Sequence, residues 1–133
     1  MYCCYDRKKT IAVPEPFKRY ITPIFMKDNG EIQDSGFSIH LTEWEPGCKV
    51  DYHSHDGGLE AMYCLSGRGI AAVDGKIHEF RPDTVIIAAE HEKHQIINTG
   101  EEMLRVLCIS MPPVTGKDLG KRAIEAINGQ DIL

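Results

Sequence analysis

From Asp34 to about Ser110 the chain is cut into short apolar or alternating runs, none longer than eight residues, with turn-forming residues between them. Runs this short leave no room for a helix of three or four turns, and their close spacing predicts an all-β sandwich or barrel. The predicted strands are 37–44 (FSIHLTEW), 49–54 (KVDYHS), 60–67 (EAMYCLSG), 68–73 (RGIAAV), 76–80 (KIHEF), 84–89 (TVIIAA), 94–99 (HQIINT) and 103–110 (MLRVLCIS). Eight strands is the count of a jelly roll. Asp74-Gly75 supplies the positive φ angles of a two-residue hairpin turn, and Asp56-Gly57-Gly58 and Thr99-Gly100 read as similar reversals. Residues 1–33, with prolines at 14, 16 and 23, read as an irregular arm holding one or two short strands. After Pro112-Pro113, Leu119, Ala123, Ile124 and Ile127 recur at helical spacing with Gly129 as a C-cap, so the segment 112–133 closes on one short helix. The barrel itself is assigned to 34–111.

With 133 residues the chain is one domain by length. No apolar stretch approaches the roughly 20 residues of a membrane helix, which argues against insertion. Twenty acidic against 15 basic residues give a net charge of −5 with Lys and Arg dispersed, so the footprint for nucleic acid is missing. MYCCYDRKKT does not read as a secretory leader, and the expected compartment is cytoplasmic. Five cysteines, two of them adjacent at 3 and 4, do not suggest a disulfide framework.

Chemistry concentrates in GCKVDYHSHDGGLEAMYCLSG, residues 47–67. Two residues apart on a strand, His53 and His55 point to the same face. The turn at 56–58 returns the chain so that Glu60 can lie beside them. Two imidazoles and a carboxylate are N and O donors of the kind first-row divalent metals take, and the set has no thiolate of a purely structural zinc site. An isolated His-x-His is more often a solvated polar face, so the flanking pattern decides.

That pattern is Gly47, five residues, His53, one residue, His55, four residues, Glu60, six residues, Gly67, and it resembles the first motif of the cupin family. Gly75, Pro82, His94 and Asn98 resemble the second motif, with one extra residue between Gly75 and Pro82 and with Thr84 where the family usually has glycine. The resemblance covers about 36–111 and implies a cupin double-stranded β-helix, a jelly-roll barrel with one divalent metal per chain. It adds His94 to His53, His55 and Glu60 as the fourth ligand. Iron, manganese, nickel or zinc fit such a set, with iron placed first. His40, His78 and His91 fit neither motif and are assigned to surface or loops, His91 also as a candidate for lining the site mouth.

LEAMYCLSGRG and PPVTGKDL further resemble the ectoine synthase branch, whose members close a ring by eliminating water. That branch carries an active-site tyrosine eight residues before the ligand histidine, where this chain has Ile86. The resemblance therefore implies an ectoine-synthase-like cupin of different activity: a small-molecule enzyme, with dioxygenase placed ahead of lyase or isomerase, acting on a small polar metabolite. A non-catalytic ligand-binding or sensing cupin and an ectoine-synthase-like hydro-lyase are the alternatives. Strand parity sends Met62 and Cys64 inward with Glu60 and turns Ala61, Tyr63 and Leu65 the other way. Both faces of that strand are expected to be buried, the outer one by a second subunit or the terminal segments, and a homodimer is predicted. Trp44 is assigned to core or pocket lining, and Tyr52 and Tyr63 are available as proton donors.

Overall fold

The computed structural model describes residues 1–28, 35–50 and 52–125, with side chains in the last helix up to 122. After a 3-10 turn at Arg7–Lys9, the strands are β1 (Ile11–Val13), β2 (Arg19–Phe25), β3 (Ser38–Trp44), β4 (Leu59–Ser66), β5 (Gly69–Val73), β6 (Lys76–Phe80), β7 (Val85–Ala88), β8 (His94–Asn98) and β9 (Leu104–Met111). A helix, α1 (Gly116–Glu125), follows. Six strands form one sheet in the order β1-β2-β3-β9-β4-β7, and three form a second in the order β6-β5-β8. All pairings are antiparallel. This is the all-β cupin barrel with a short C-terminal helix.

Alternation builds the interior. In β9, Leu104, Val106, Cys108 and Ser110 are buried while Arg105, Leu107 and Ile109 between them are half-exposed. In β4, Glu60, Met62 and Cys64 are buried. Trp44, Val50, Phe80, Ala88, Ile96 and Leu104 join them in one apolar cluster between the sheets. Trp44 is thus core, 3% exposed. The Asp74-Gly75 hairpin has φ of 48° and 77°, both positive as its turn type needs. Thr84 can replace a glycine because the positive φ falls one residue earlier, at Asp83 (67°), while its hydroxyl donates to Arg81 O at 2.6 Å.

Two expectations change, and the closing helix stands as expected. The run 49–54 is not a ladder strand: it meets β8 through isolated bridges, Lys49 to Ile97 and His53 to His94, with Asp51 outside the described residues. The N-terminal residues form more than an arm, since seven-residue β2 pairs with β3 from Tyr20–Glu43 to Phe25–Ile39 and puts Ile21 into the interior. α1 is present, with Thr115 Oγ1 accepting from Asp118 N at 3.0 Å as its N-cap, and Leu119 packs on Val13, Ile21 and Met26. Ile127 and Gly129 lie outside the described residues. Among the described residues the outer face of β4 stays open, with Tyr63 36% and Leu65 42% exposed. Among the described residues no helix is long and apolar enough to cross a membrane.

Candidate metal centre

Two segments bring the imidazoles together. The bridge between His53 and His94 is made by reciprocal backbone hydrogen bonds of 3.1 and 2.8 Å, which fixes the 53–55 segment against β8. The rings then cluster with centroids 4.3 Å (His53–His94), 4.8 Å (His53–His55) and 5.2 Å (His55–His94) apart. One ligand nitrogen from each lies within 4.8 Å of the others. His94 Nδ1 faces Glu92 O at 3.3 Å, an outer contact that sets the ring's orientation. His91 is not at the site mouth. It is exposed, its backbone N–H donates to His55 O at 2.9 Å and its ring contacts Asp56 at 3.0 Å, so it braces the turn that presents His55.

Glu60 arrives from β4, 7% exposed, with Oε2 2.8 Å from His55 Nε2. The approach is off the hydrogen-bond axis, leaving His55 Nε2 buried without an aligned partner. A buried lone pair and a buried carboxylate oxygen turned toward one point fit a cation better than a protein hydrogen bond. On this observation the residues present fit the divalent metal implied by the cupin pattern.

His40 corrects the sequence reading. It is 4% exposed, not a surface residue, because Ser38, His40, Thr42 and Trp44 share the inward face of β3. Register places His40 opposite Cys108 on β9, and Cys108 opposite Met62 on β4, which in turn faces Ile86 on β7. Ser38, Ser110, Glu60 and Ala88 make the adjacent row. Glu60 Oε1 is 4.0 Å from His40 Nε2 across these rows. Cys108, 2% exposed, contacts Thr42 Oγ1 at 3.7 Å. His40, Glu60 and Cys108 are a second group with ligand atoms within 4.8 Å of one another. Sequence reasoning missed this group because strand register is non-local, although the parity of His40 with Trp44 was a usable signal.

Burial pushes the His40 imidazole down to about 4 against the attraction of Glu60, and burial likewise lowers His94. Both rings are neutral near pH 7, with lone pairs free for a metal. For Glu60, burial pushes upward, but the His55 contact and the charges of His40, His55 and His94 outweigh it and hold the carboxyl well below the usual range. Burial raises the Cys108 thiol well above its ordinary value.

These groups line an open cleft of about 140 Å³. Trp44, Met62 and Ile96 form an apolar wall, while Arg19 and Arg122 add positive charge. Arg19, 6% exposed, is anchored by donation to Phe17 O at 3.2 Å. Arg122, delivered by α1, approaches Glu60 Oε2 at 3.8 Å. The tyrosines do not contribute: Tyr63 donates to Asp83 on the outer face, and Tyr52 accepts from Gly75 N at 3.2 Å. Asn98 is structural, its Nδ2 donating to Trp44 O at 2.8 Å and Glu102 O at 2.7 Å. His78 is exposed on β6, as expected.

Comparison with known proteins finds a family model, described as ectoine synthase, that matches residues 24–123. The L-ectoine synthase of Saccharophagus degradans is 32% identical over 120 residues, covering 84% of this chain and 86% of that protein. The L-ectoine synthase of Bordetella petrii is 38% identical over 86 residues, an alignment that spans 63% of each chain and so less than two thirds of that relative. Among solved structures, ectoine synthase from P. lautus is similar with a TM-score of 0.69 at 23% identity, over 87% of this chain and 78% of that one. That likeness is one of fold.

Proposed function

The chain belongs to the ectoine synthase family, a family of cupin-type enzymes, and from that premise we propose that it is a metal-dependent hydro-lyase acting on a small acylated amino acid. The observation that carries the reading is the convergence of His53, His55, His94 and the ionised Glu60 beside two guanidinium groups in one cleft. His53, His55, Glu60 and His94 hold the metal, with iron as the proposed ion. When bound there, a divalent cation supplies Lewis acidity toward a substrate acyl oxygen.

The chain's own residues do the rest. Arg19 and Arg122 hold the substrate carboxylate, with Arg122 exchanging its 3.8 Å approach to Glu60 for the ligand. The wall of Trp44, Met62 and Ile96 keeps bulk water from the reacting amine and acyl groups and folds the flexible chain into a ring-closing conformation. Nitrogen adds to the acyl carbon, and the acyl oxygen departs as water. Ile86 packs against the apolar core and supplies neither a ligand nor a proton, so the reading rests on the imidazoles of His53, His55 and His94 with Glu60.

The test is anaerobic incubation of iron-loaded protein with the acetylated diamino acid used by ectoine synthases. A product lighter by one water supports the reading. The departure at Ile86 favours a second reading, oxygen insertion, and oxygen uptake without anaerobic turnover would replace the first with it. We also propose that the protein is a homodimer, supported by the uncovered row of Tyr63, Leu65, Val85 and Ile87 on the outer sheet face.

A further inference from the structure

We infer that His40, Glu60 and Cys108 form a second metal position, next to the three-histidine one and joined to it by Glu60, and that it takes a borderline-soft divalent cation such as zinc, cobalt or iron(II). The three donors come from adjacent strands β3, β4 and β9, all on the inward face, and their ligand atoms lie within 4.8 Å of one another. Bonds of about 2.0–2.3 Å to N, O and S span pairs separated by up to about 4 Å, so side-chain adjustments of up to about one ångström close the set.

Burial supplies an independent observation. His40 is 4% exposed, and its Nδ1 has no hydrogen-bond partner. An imidazole stripped of water costs stability, and coordination through Nε2, the nitrogen that faces Glu60, recovers part of it. Met62 and Ile86 complete the row of His40 and Cys108, so a purely packing role calls for apolar side chains at 40 and 108 too. The thiol's contacts with Thr42 Oγ1 at 3.7 Å and Val106 O at 3.9 Å are long and weak, and it also lies within hydrogen-bonding reach of the Glu60 carboxylate.

Glu60 provides the link. Its Oε1 faces His40 Nε2 at 4.0 Å and its Oε2 faces His55 Nε2 at 2.8 Å, one oxygen toward each group of donors. A carboxylate with its two oxygens divided in this way bridges two cations. On binding, the Cys108 thiol passes its proton to solvent as the Sγ–metal bond forms. The inference rests on the three-histidine reading only through the shared Glu60.

Anaerobic titration of metal-free protein with cobalt(II) tests it. The expected result is saturation at two equivalents per chain, one of them accompanied by a near-ultraviolet thiolate-to-cobalt charge-transfer band. Cys108→Ser should abolish that band and one equivalent while keeping the visible absorption of the other; His53→Ala should do the reverse. Saturation at one equivalent overturns the inference, with or without the band. If the band is present then, a single ion draws on Cys108, and the three-histidine assignment fails separately if His53→Ala leaves that equivalent in place. Should Cys108→Ser fail to fold, stoichiometry and band in the wild-type protein decide alone.

Discussion

Glu60 is a buried carboxylate held ionised beside the imidazoles of His40, His55 and His94, and each such residue reports on its surroundings when removed or titrated. His53→Ala should lower affinity at the three-histidine position by more than about 100-fold, beyond the loss of an outer-sphere partner, read by metal retained after dialysis. His40 gives a pH prediction for the metal-free protein. Its folded value of about 4 lies below the ordinary 6.5, so between these values the unfolded chain binds a proton that the folded one does not. Stability is therefore full above 6.5 and falls as pH drops toward 4, by roughly 3 kcal/mol at one unit per 1.36 kcal/mol, and His40→Gln should flatten the slope in denaturant melts. Tyr63→Phe should leave turnover unchanged, since the hydroxyl meets Asp83 on the far face of the sheet. The pairing of His53 with His55 and of Glu60 with Met62 was legible in the sequence because strand parity is local. His40 and Cys108 were not, since their meeting depends on the β3–β9–β4 register, set by residues 60 to 72 positions apart between β3 and β9 and 39 to 52 apart between β4 and β9.

At the scale of elements, the short runs and turn dipeptides foretold seven of the nine described strands, and the hairpin at Asp74-Gly75 behaves as its backbone angles require. The 49–54 run alternates like a strand yet contributes only bridges. The prolines of the N-terminal region concealed β2: Pro23 sits within it at a register shift between Pro23 and Phe25, a place where a missing N–H is tolerated. α1 links stability to the site, because Leu119 fastens it to Val13, Ile21 and Met26 while Arg122 reaches the cleft. Leu119→Ala should cost about 2–4 kcal/mol in thermal or denaturant unfolding and raise KM more than it lowers kcat. Val85 and Ile87, 52% and 57% exposed, are the places to probe association: a V85E/I87E chain should sediment as a monomer where the wild type sediments as a dimer.

Across the whole molecule, a six-stranded and a three-stranded sheet enclose one interior, and the donors from β3, β4, β8, β9 and the 53–55 segment all open into it. The cupin motifs in the sequence located that interior because their glycines and histidines are tied to the turns and strand ends of the barrel. They could not specify the reaction, which depends on which groups from distant strands share the cleft and on the charge that α1 adds at its mouth. Family membership and the paired guanidiniums support the proposed water elimination over the oxygenase that the sequence reading put first. The account stands on a metal held by the clustered histidines. Its most direct test is elemental analysis of untagged protein loaded anaerobically with iron(II), comparing the wild type with a His53→Ala/His94→Ala double variant. The account predicts at least one tightly held metal per wild-type chain and loss of that metal from the double variant. Wild-type chains that stay empty, or a double variant that retains the full complement, would contradict it.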